Sequence, residues 1–525
     1  MPETNRESLP SVAVIGLGAL GLVTLKNLLD EGFDATGFDA NPYVGGLWKY
    51  DEGSQTSVLE STITNISRER GCFTDFPFPA GTDVFPKADQ VERYLTAYAS
   101  HFALKEGMKL NTKVLSISRD EKRNQWVVQF SQNASEPKSV RYDKLVLANG
   151  INRIPSLPSI DNQDKFQGKI IHSINYKKPS QFTGKRVLIV GLANTAADTA
   201  TSLVGHAEKI YLSHRHGAYV LPRWKDNKPY DQSFTNRMQA RFGFMETYFP
   251  VRVATEFFQT LAKLQAEAFN VRPEWKLSPE PLGAAGGLII SDKLVDELNE
   301  GNIASVSGLK GIIDGKTVQL DDGTKLEVDT IILCTGYKPD FSILGEYDPS
   351  LTINPNWVAS SGSRGKPLPR LYQNIFSLDH PDSLAIMGTV AFMTPFFQTY
   401  DLASMALAQV WKGNSRLPSK EQMNKAVDEH LAWVCAIANF VTIDPGIVKV
   451  VDWNHWVHDA AGTGINENLG YGLKGWWFWL RNPRMSLMLM TGLASPHIFR
   501  LFETGKRKTW AGAWKEIMRV NREMI

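Results

Sequence analysis

Gly16-Leu17-Gly18-Ala19-Leu20-Gly21 is the stretch that decides the fold. It follows a short apolar run from Ser11 to Ile15 and opens a segment of helical apolar spacing from Leu20 to Leu29. A second strand, Ala35 to Asp39, completes a βαβ unit. The G-x-G-x-x-G spacing suits a dinucleotide: the first glycine makes the turn, the second admits a pyrophosphate, and the third packs helix on strand. Asp39 lies 23 residues after Gly16 (39 minus 16), where a carboxylate accepts hydrogen bonds from ribose hydroxyls. The chain then repeats the unit. Lys185 to Val190 leads into Gly191-Leu192-Ala193-Asn194-Thr195-Ala196, a helix runs from Asn194 to about Leu203, and Ile210 to Ser213 is the next strand. The two turns are 175 positions apart (191 minus 16), so one chain is expected to hold two dinucleotides.

The second unit departs from the first in two ways. Ala193 puts a methyl group where the backbone must approach the pyrophosphate, which weakens the expected affinity. Arg215 follows Gly191 by 24 residues (215 minus 191), so the acid of the first unit is replaced by a base. A guanidinium there grips a 2′-phosphate bidentately and favours NADP over NAD, with His214 and Arg223 near enough in sequence to assist.

The rest of the chain sets bounds. At 525 residues it exceeds what one core usually serves, and 43% hydrophobic with 21% charged residues is ordinary for a globular protein. A net charge of +2 demands neither nucleic acid nor an anionic partner. Cys72, Cys334 and Cys435 form no C-x-x-C, which disfavours a disulfide framework, a zinc ribbon and a dithiol centre. The polar opening MPETNRESLP has no apolar core, and no run of about 18 apolar residues occurs. We expect a reducing, cytoplasmic setting, with room for peripheral contact to a membrane.

Two buried strands run into glycines, Leu145 to Gly150 and Val328 to Gly336, and they flank the second unit. This is the pattern of a nucleotide domain inserted into a larger, discontinuous one. We expect an α/β fold with the crossings near residues 165 and 335: residues 1–165, an inserted domain over 166–334, and residues 335–525 returning to the first domain. Residues 217 to 300 interrupt the second unit with aromatic helical pattern, including Phe242, Phe244, Tyr248, Phe249, Phe257 and Phe258, followed by a Pro/Gly-rich stretch to about Gly287. Such an insertion is a candidate pocket roof.

Phe166-Gln-Gly168-Lys-Ile-Ile-His172-Ser-Ile-Asn-Tyr176 has the spacing F-x-G-x-x-x-H-x-x-x-Y. It resembles the signature of the flavin-containing monooxygenases, dimethylaniline monooxygenase-like members of the class B flavoprotein monooxygenases. Gly45-Gly46-Leu47-Trp48, the Thr62 to Asn65 stretch and Thr335-Gly336-Tyr337 match further family motifs, and the likeness runs on through Gln398 to Gly413, Asn482-Pro483 and Ser495-Pro496. The resemblance implies two Rossmann-like domains, the NADP domain inserted into the FAD domain. It implies that Gly16, Gly18, Ala19, Leu20, Gly21 and Asp39 bind the adenosine side of FAD and that Gly46, Leu47, Trp48 and Thr64 flank the rest. Gly191, Asn194, Thr195 and Ala196 would bind NADPH, and Thr335, Gly336 and Tyr337 would close the insertion. Asn65 would face the reactive edge of the flavin as the catalytic amide, a donor too weakly acidic to expel peroxide. His172 is read as a structural residue.

The implied reaction is NADPH- and O2-dependent, through a C4a-hydroperoxyflavin that oxygenates a soft nitrogen or sulfur of a small substrate. Baeyer-Villiger relatives end the signature with tryptophan followed by proline or aspartate, where this chain has Tyr176 and Lys177, which tilts the expectation to heteroatom oxygenation. Baeyer-Villiger oxidation of a ketone, and a nucleotide-binding redox sensor or partner-binding flavoprotein without turnover, stay open as alternatives. No metal site is expected from Asp452, His455, His458 and Asp459. The Trp476-Trp477-Phe478-Trp479 run is expected to pack in a core or interface, and the stripe of Trp510, Trp514, Ile517 and Met518 to dock on the protein itself or touch a membrane.

Overall fold

The computed structural model describes residues 9–522 apart from 54, 278–286 and 393. Two sheets organise the chain, one behind each glycine turn. The first has the strand order Leu371–Tyr372, Phe376–Ser377, Leu384–Ile386, Lys144–Leu147, Leu9–Ile15, Phe33–Phe38, Met108–Lys109, parallel from Leu384–Ile386 onward. The second is parallel throughout, in the order Ile303–Ser307, Lys209–His214, Arg186–Val190, Thr330–Leu333, Lys169–His172.

Strand periodicity explains how each sheet is covered on both faces. Val12 and Val14 join a core with the helices Ala19–Asp30 and Phe396–Trp411, while Ala13 and Ile15 face Trp126, Val128 and Phe130. In the second sheet Val187 and Ile189 pack with Ala196, Ala197 and Ala200 on the helix Asn194–Leu203, and Leu188 turns to Val318 and Ile331. Every strand of the second sheet lies in sequence between Lys144–Leu147 and Leu384–Ile386, yet those two pair directly, Leu145 opposite Leu384. The second domain is therefore inserted into the first. The two crossings run side by side, Tyr337 opposite Pro155 and Lys338 opposite Ile154.

The repeat extends further than the sequence patterns indicated. An antiparallel meander of Thr112–Asp120, Gln125–Gln132 and Lys138–Tyr142 precedes the strand that runs into Gly150. A second meander, Leu309–Asp314, Thr317–Leu320 and Lys325–Glu327, precedes the strand that runs into Gly336.

The expected insertion forms the helices Asn236–Tyr248 and Pro250–Ala268. Phe257 and Phe258 pack against the cluster of Tyr219, Leu221 and Leu261, whereas Phe242, Phe244, Tyr248 and Phe249 are exposed. Most of the Pro/Gly-rich stretch lies outside the described residues. In the C-terminal region Arg500 reaches back to the first domain, bonding Thr74 Oγ1 at 2.8 Å, Asn27 Oδ1 at 2.7 Å and Asp401 at 3.2 Å. Lys26, equally buried, pairs with Asp75 and Asp30. Burial opposes the charge on Arg500, but Asp75 and Asp401 outweigh it and hold its pKa above the ordinary value. Removing one partner of such a cluster leaves an uncompensated buried charge, at a cost of about 3–5 kcal/mol.

Two C-terminal expectations separate. On the helix Ala513–Arg522, Ile517 and Val520 are buried and Trp514 packs beside Ile498 and Phe502, so this stripe docks on its own protein. The tryptophan run does not form a core: on the helix Leu473–Arg481 only Phe478 turns inward, against Phe502, and the three tryptophans are exposed. His458 is half-buried against Phe499 and hydrogen-bonded to Thr463, and no cluster of metal-ligating side chains occurs among the described residues.

Candidate functional site

Both turns leave the chain through the same local geometry. Gly16 has φ +102° and Gly191 φ +124°, a region that favours glycine. A Cβ on Gly16 would stand 2.5 Å from the Ala148 carbonyl oxygen, and one on Gly191 would stand 2.5 Å from that of Cys334. Each turn opens a helix whose first amides have no partner within it. The first intrahelical bonds are Leu22 N–H to Gly18 and Ala197 N–H to Ala193, so the N–H groups of Ala19, Leu20 and Gly21, and of Asn194, Thr195 and Ala196, point outward. Outward amides at the positive end of a helix dipole are a phosphate site.

In the first unit the turn is braced by the neighbouring loop. Gly45 N–H donates to Leu17 O at 2.9 Å, and a Cβ on Gly46 would lie 3.0 Å from Gly18 Cα, so this narrow cradle admits a pyrophosphate only because both residues lack side chains. Asp39 accepts Leu17 N–H at 2.7 Å and Asn41 N–H at 2.8 Å. Burial raises its pKa despite those bonds, and each carboxylate oxygen keeps a lone pair for a ribose hydroxyl. Beyond Leu47, Trp48 meets Phe397 edge-on at 6.1 Å. The loop carrying Thr64 and Asn65 follows. These residues fit FAD: glycine contact for the pyrophosphate, an acid for the ribose, and an aromatic wall and an amide for the ring.

In the second unit Ala193 caps its helix in an extended conformation, φ −147° and ψ −179°, which any residue adopts. The alanine therefore strains nothing and acts only by occupying space over the amides. Asn194 is tied sideways, its Oδ1 accepting Ile290 N–H at 2.9 Å, so its backbone amide is the free donor. Ala196 is fully buried under the sheet. Arg215 is 63% exposed, bonded to Asp321 at 2.9 Å and to Leu309 O at 2.9 Å. Burial and the charge of Arg215 together lower the pKa of Arg364, so a second guanidinium, from the first domain, lies within its field. Sequence reading missed Arg364 because it sits 149 residues beyond Arg215 (364 minus 215), with no motif around it.

His214 and Arg223 do not join Arg215. His214 is buried between His216 O and Ser305 Oγ, and burial lowers its pKa, so it offers no positive charge near neutral pH. Arg223 is 7% exposed and reaches across to the first domain. Its Nε donates to Thr64 O at 2.9 Å, NH2 to Ile63 O at 3.1 Å and to Asn65 Oδ1 at 2.9 Å, and NH1 to Asp292 at 2.9 Å. Because the Asn65 oxygen accepts from Arg223, the amide nitrogen is left to donate on its other side.

The crossings also converge. Thr335 Oγ1 donates to Ser156 O at 2.5 Å, and His172 Nε2 donates to Gly336 O at 3.0 Å while its Nδ1 accepts Ile174 N–H. Burial lowers the His172 pKa, so this ring is a neutral strut with a fixed tautomer. Beside it a cavity of about 260 Å³ opens between the domains, lined in part by Thr195, Gly336, Tyr337, Lys366, Thr389 and Gly446. Asn65 is not among its walls. Asp198, on the helix of the second turn, was also missed from sequence: burial raises its pKa to about 6, against the opposing charge of Arg223.

The comparisons agree with this geometry. A family model described as flavin-binding monooxygenase-like matches residues 10–524. The chain is 46% identical over 514 residues to Monooxygenase aurF of Gibberella zeae, covering 98% of this chain and 97% of that protein. It is 30% identical over 526 residues to Flavin-containing monooxygenase 3 of Oryctolagus cuniculus, covering 97% and 91%. Among solved structures it resembles S-allyl-L-cysteine S-oxygenase from Allium sativum, with a TM-score of 0.63 at 21% identity over 86% of this chain and 89% of that one. With its two dinucleotide cradles for FAD and NADPH and its use of O2, the chain belongs to the flavin-containing monooxygenase family.

Proposed function

We propose that this protein transfers one oxygen atom of O2 to a soft nucleophilic nitrogen or sulfur of a small organic molecule, the second atom leaving as water at the expense of NADPH. The observation that carries the reading is the bond from Arg223 to Asn65, which presents the Asn65 amide as a donor. Bound FAD, once reduced, supplies the reactivity toward O2, and the protein supplies position, polarity and exclusion of water. The amides of Ala19, Leu20 and Gly21 and the carboxylate of Asp39 hold one end of FAD, and Gly46, Leu47 and Trp48 flank the other. The amides at Asn194, Thr195 and Ala196 take the NADPH pyrophosphate, and Arg215 takes its 2′-phosphate. Asn65 donates a hydrogen bond at the reactive edge of the ring, beside Thr64.

Heteroatom oxygenation needs a neutral donor there and no cation for a peroxide anion. Arg223, the nearby cation, suits this: at least four of its five N–H groups are engaged by Thr64, Ile63, Asn65 and Asp292. Tyr176 and Lys177, at the end of the signature motif, point the same way. The buried, unpaired thiols of Cys72, Cys334 and Cys435 suit a reducing compartment, and we place the protein in the cytoplasm.

The test is turnover with NADPH of an alkyl aryl thioether and, separately, a cyclic ketone. Sulfoxide with no ester supports the proposal. Ester from the ketone with an untouched thioether replaces it with Baeyer-Villiger chemistry, and reduction without product from any amine, sulfide or ketone replaces it with a sensor.

A further inference from the structure

The helix Leu473–Arg481 carries its apolar stripe on its solvent side. Leu473, Trp476, Trp477 and Leu480 follow the spacing i, i+3, i+4, i+7 of a single helical face, and they are 91%, 56%, 56% and 64% exposed. Trp479 and the preceding Tyr471 are exposed beside them, and Leu487 continues the surface on the helix Pro483–Thr491. The Asn236–Tyr248 helix adjoins, tied by Asn236 Nδ2 to Leu489 O at 2.8 Å, and adds exposed Met238, Phe244 and Tyr248. A soluble surface rarely shows so many large apolar side chains together without a binding role.

The charge around this face is mostly basic: Lys474, Arg481 and Arg484 are exposed, as are Arg237 and Arg241 on the adjoining helix, against half-buried Glu246 and, at the edge, exposed Glu467. Between Glu467 and Glu503 the sequence has Lys474, Arg481, Arg484 and Arg500 and no acidic residue. Arg500 is buried, but the other three are exposed, and Arg481 stacks on Trp477 at 4.3 Å. Tryptophan and leucine on a protruding helix with lysine and arginine at their edges form the pattern of a segment lying in a lipid interface. No helix among the described residues is long and apolar enough to cross a membrane, so such contact would be in-plane. A second copy of this chain is a poor occupant, because a two-fold contact would set this basic rim against itself.

We infer that this face docks the protein on an anionic phospholipid bilayer, with the Leu473–Arg481 helix in the plane of the headgroups. The inference is independent of which atom the enzyme oxygenates. The test is flotation of the full-length, FAD-loaded protein with vesicles of phosphatidylcholine alone and of phosphatidylcholine with phosphatidylserine. The protein is expected to float with the phosphatidylserine vesicles. The variant W476S/W477S/L480S is expected to lower that partition by at least about tenfold. K474E/R481E/R484E is expected to abolish the preference for phosphatidylserine. These positions are exposed, so flavin absorbance and melting temperature should be unchanged; if the tryptophan variant misfolds, the charge variant decides. An unsubstituted protein that stays unbound with both vesicles, or substituted proteins that float equally well, overturns the inference. So does a tryptophan variant whose sole change is a smaller sedimentation coefficient, which would make the face a contact between copies.

Discussion

The two glycine turns share a strand exit but differ in how closely the helix follows it. In the first, a Cβ on Gly21 would collide with the Gly16 carbonyl, and Gly18 and Gly46 are almost in backbone contact. In the second, the position of Gly21 is taken by Ala196, fully buried, so that turn leaves room for a Cβ. Seven residues after the first glycine of each turn (23 minus 16, 198 minus 191) the first helix has Val23, fully buried, and the second has Asp198. The first turn is a closed socket, suited to a cofactor that stays. The second is looser and polar, suited to a nucleotide that must also leave.

The comparison breaks most visibly at the third position of each motif. Gly21→Ala should yield a colourless protein with almost no bound flavin, while Ala196→Gly should keep full flavin and change the NADPH KM by less than about twofold. Equal flavin content in the two variants would show that the first socket is no tighter than the second. Where the two domains touch, Asn65→Ala should cut product formed per NADPH by roughly tenfold or more, with the remainder appearing as hydrogen peroxide. A fully coupled Asn65→Ala protein would remove Asn65 from the chemistry.

Smaller effects sharpen the contrast. Arg215→Ala should raise the NADPH KM by about ten- to a hundredfold and leave that of NADH nearly unchanged. If both coenzymes suffer alike, Arg215 does not read the 2′-phosphate. Ala193→Gly should improve NADPH binding a fewfold, about 1 kcal/mol at most, without altering flavin content. Asp198→Asn tests the polar interior of the second helix. A carboxyl whose pKa rises from 3.8 to about 6 on folding costs stability above pH 6, a cost that shrinks as pH falls and vanishes below its unfolded pKa. The variant should therefore be stabilised by up to about 3 kcal/mol at pH 8 and unchanged below about pH 4. A melting temperature gain equal at both pH values would dissociate the effect from ionisation.

Much of this architecture is local and was therefore legible. Each βαβ unit is written in consecutive residues, and the glycines, Asp39 and Arg215 mark its ends. What escaped reading depends on distant partners. Arg223 and Asn65 are 158 residues apart, and nothing around either announces the other. Grouping Arg223 with Arg215 rested on proximity in sequence, whereas the strand Tyr219–Leu221 leads Arg223 to the other domain. The tryptophan run, expected in a core or an interface, lies outside the core for a different reason: apolar periodicity identifies a face but does not say whether protein or solvent lies on it. The meanders went unread although one of them carries a plain alternation, with Trp126, Val128 and Phe130 buried on one face; the other ends in a strand as short as Lys325–Glu327, which carries little pattern.

The insertion also imposes an order on synthesis. Leu384–Ile386 is made 240 residues after the Lys144–Leu147 strand it pairs with (384 minus 144). At typical translation rates of about 5–20 residues per second, Lys144–Leu147 waits roughly 12–48 s as an open sheet edge on the ribosome. In that interval the second sheet, complete once Leu333 has emerged, can close. The domain that lends NADPH is thus free to fold before the one that keeps FAD, and a chain stalled between them would expose an unpaired β edge to any aggregating neighbour.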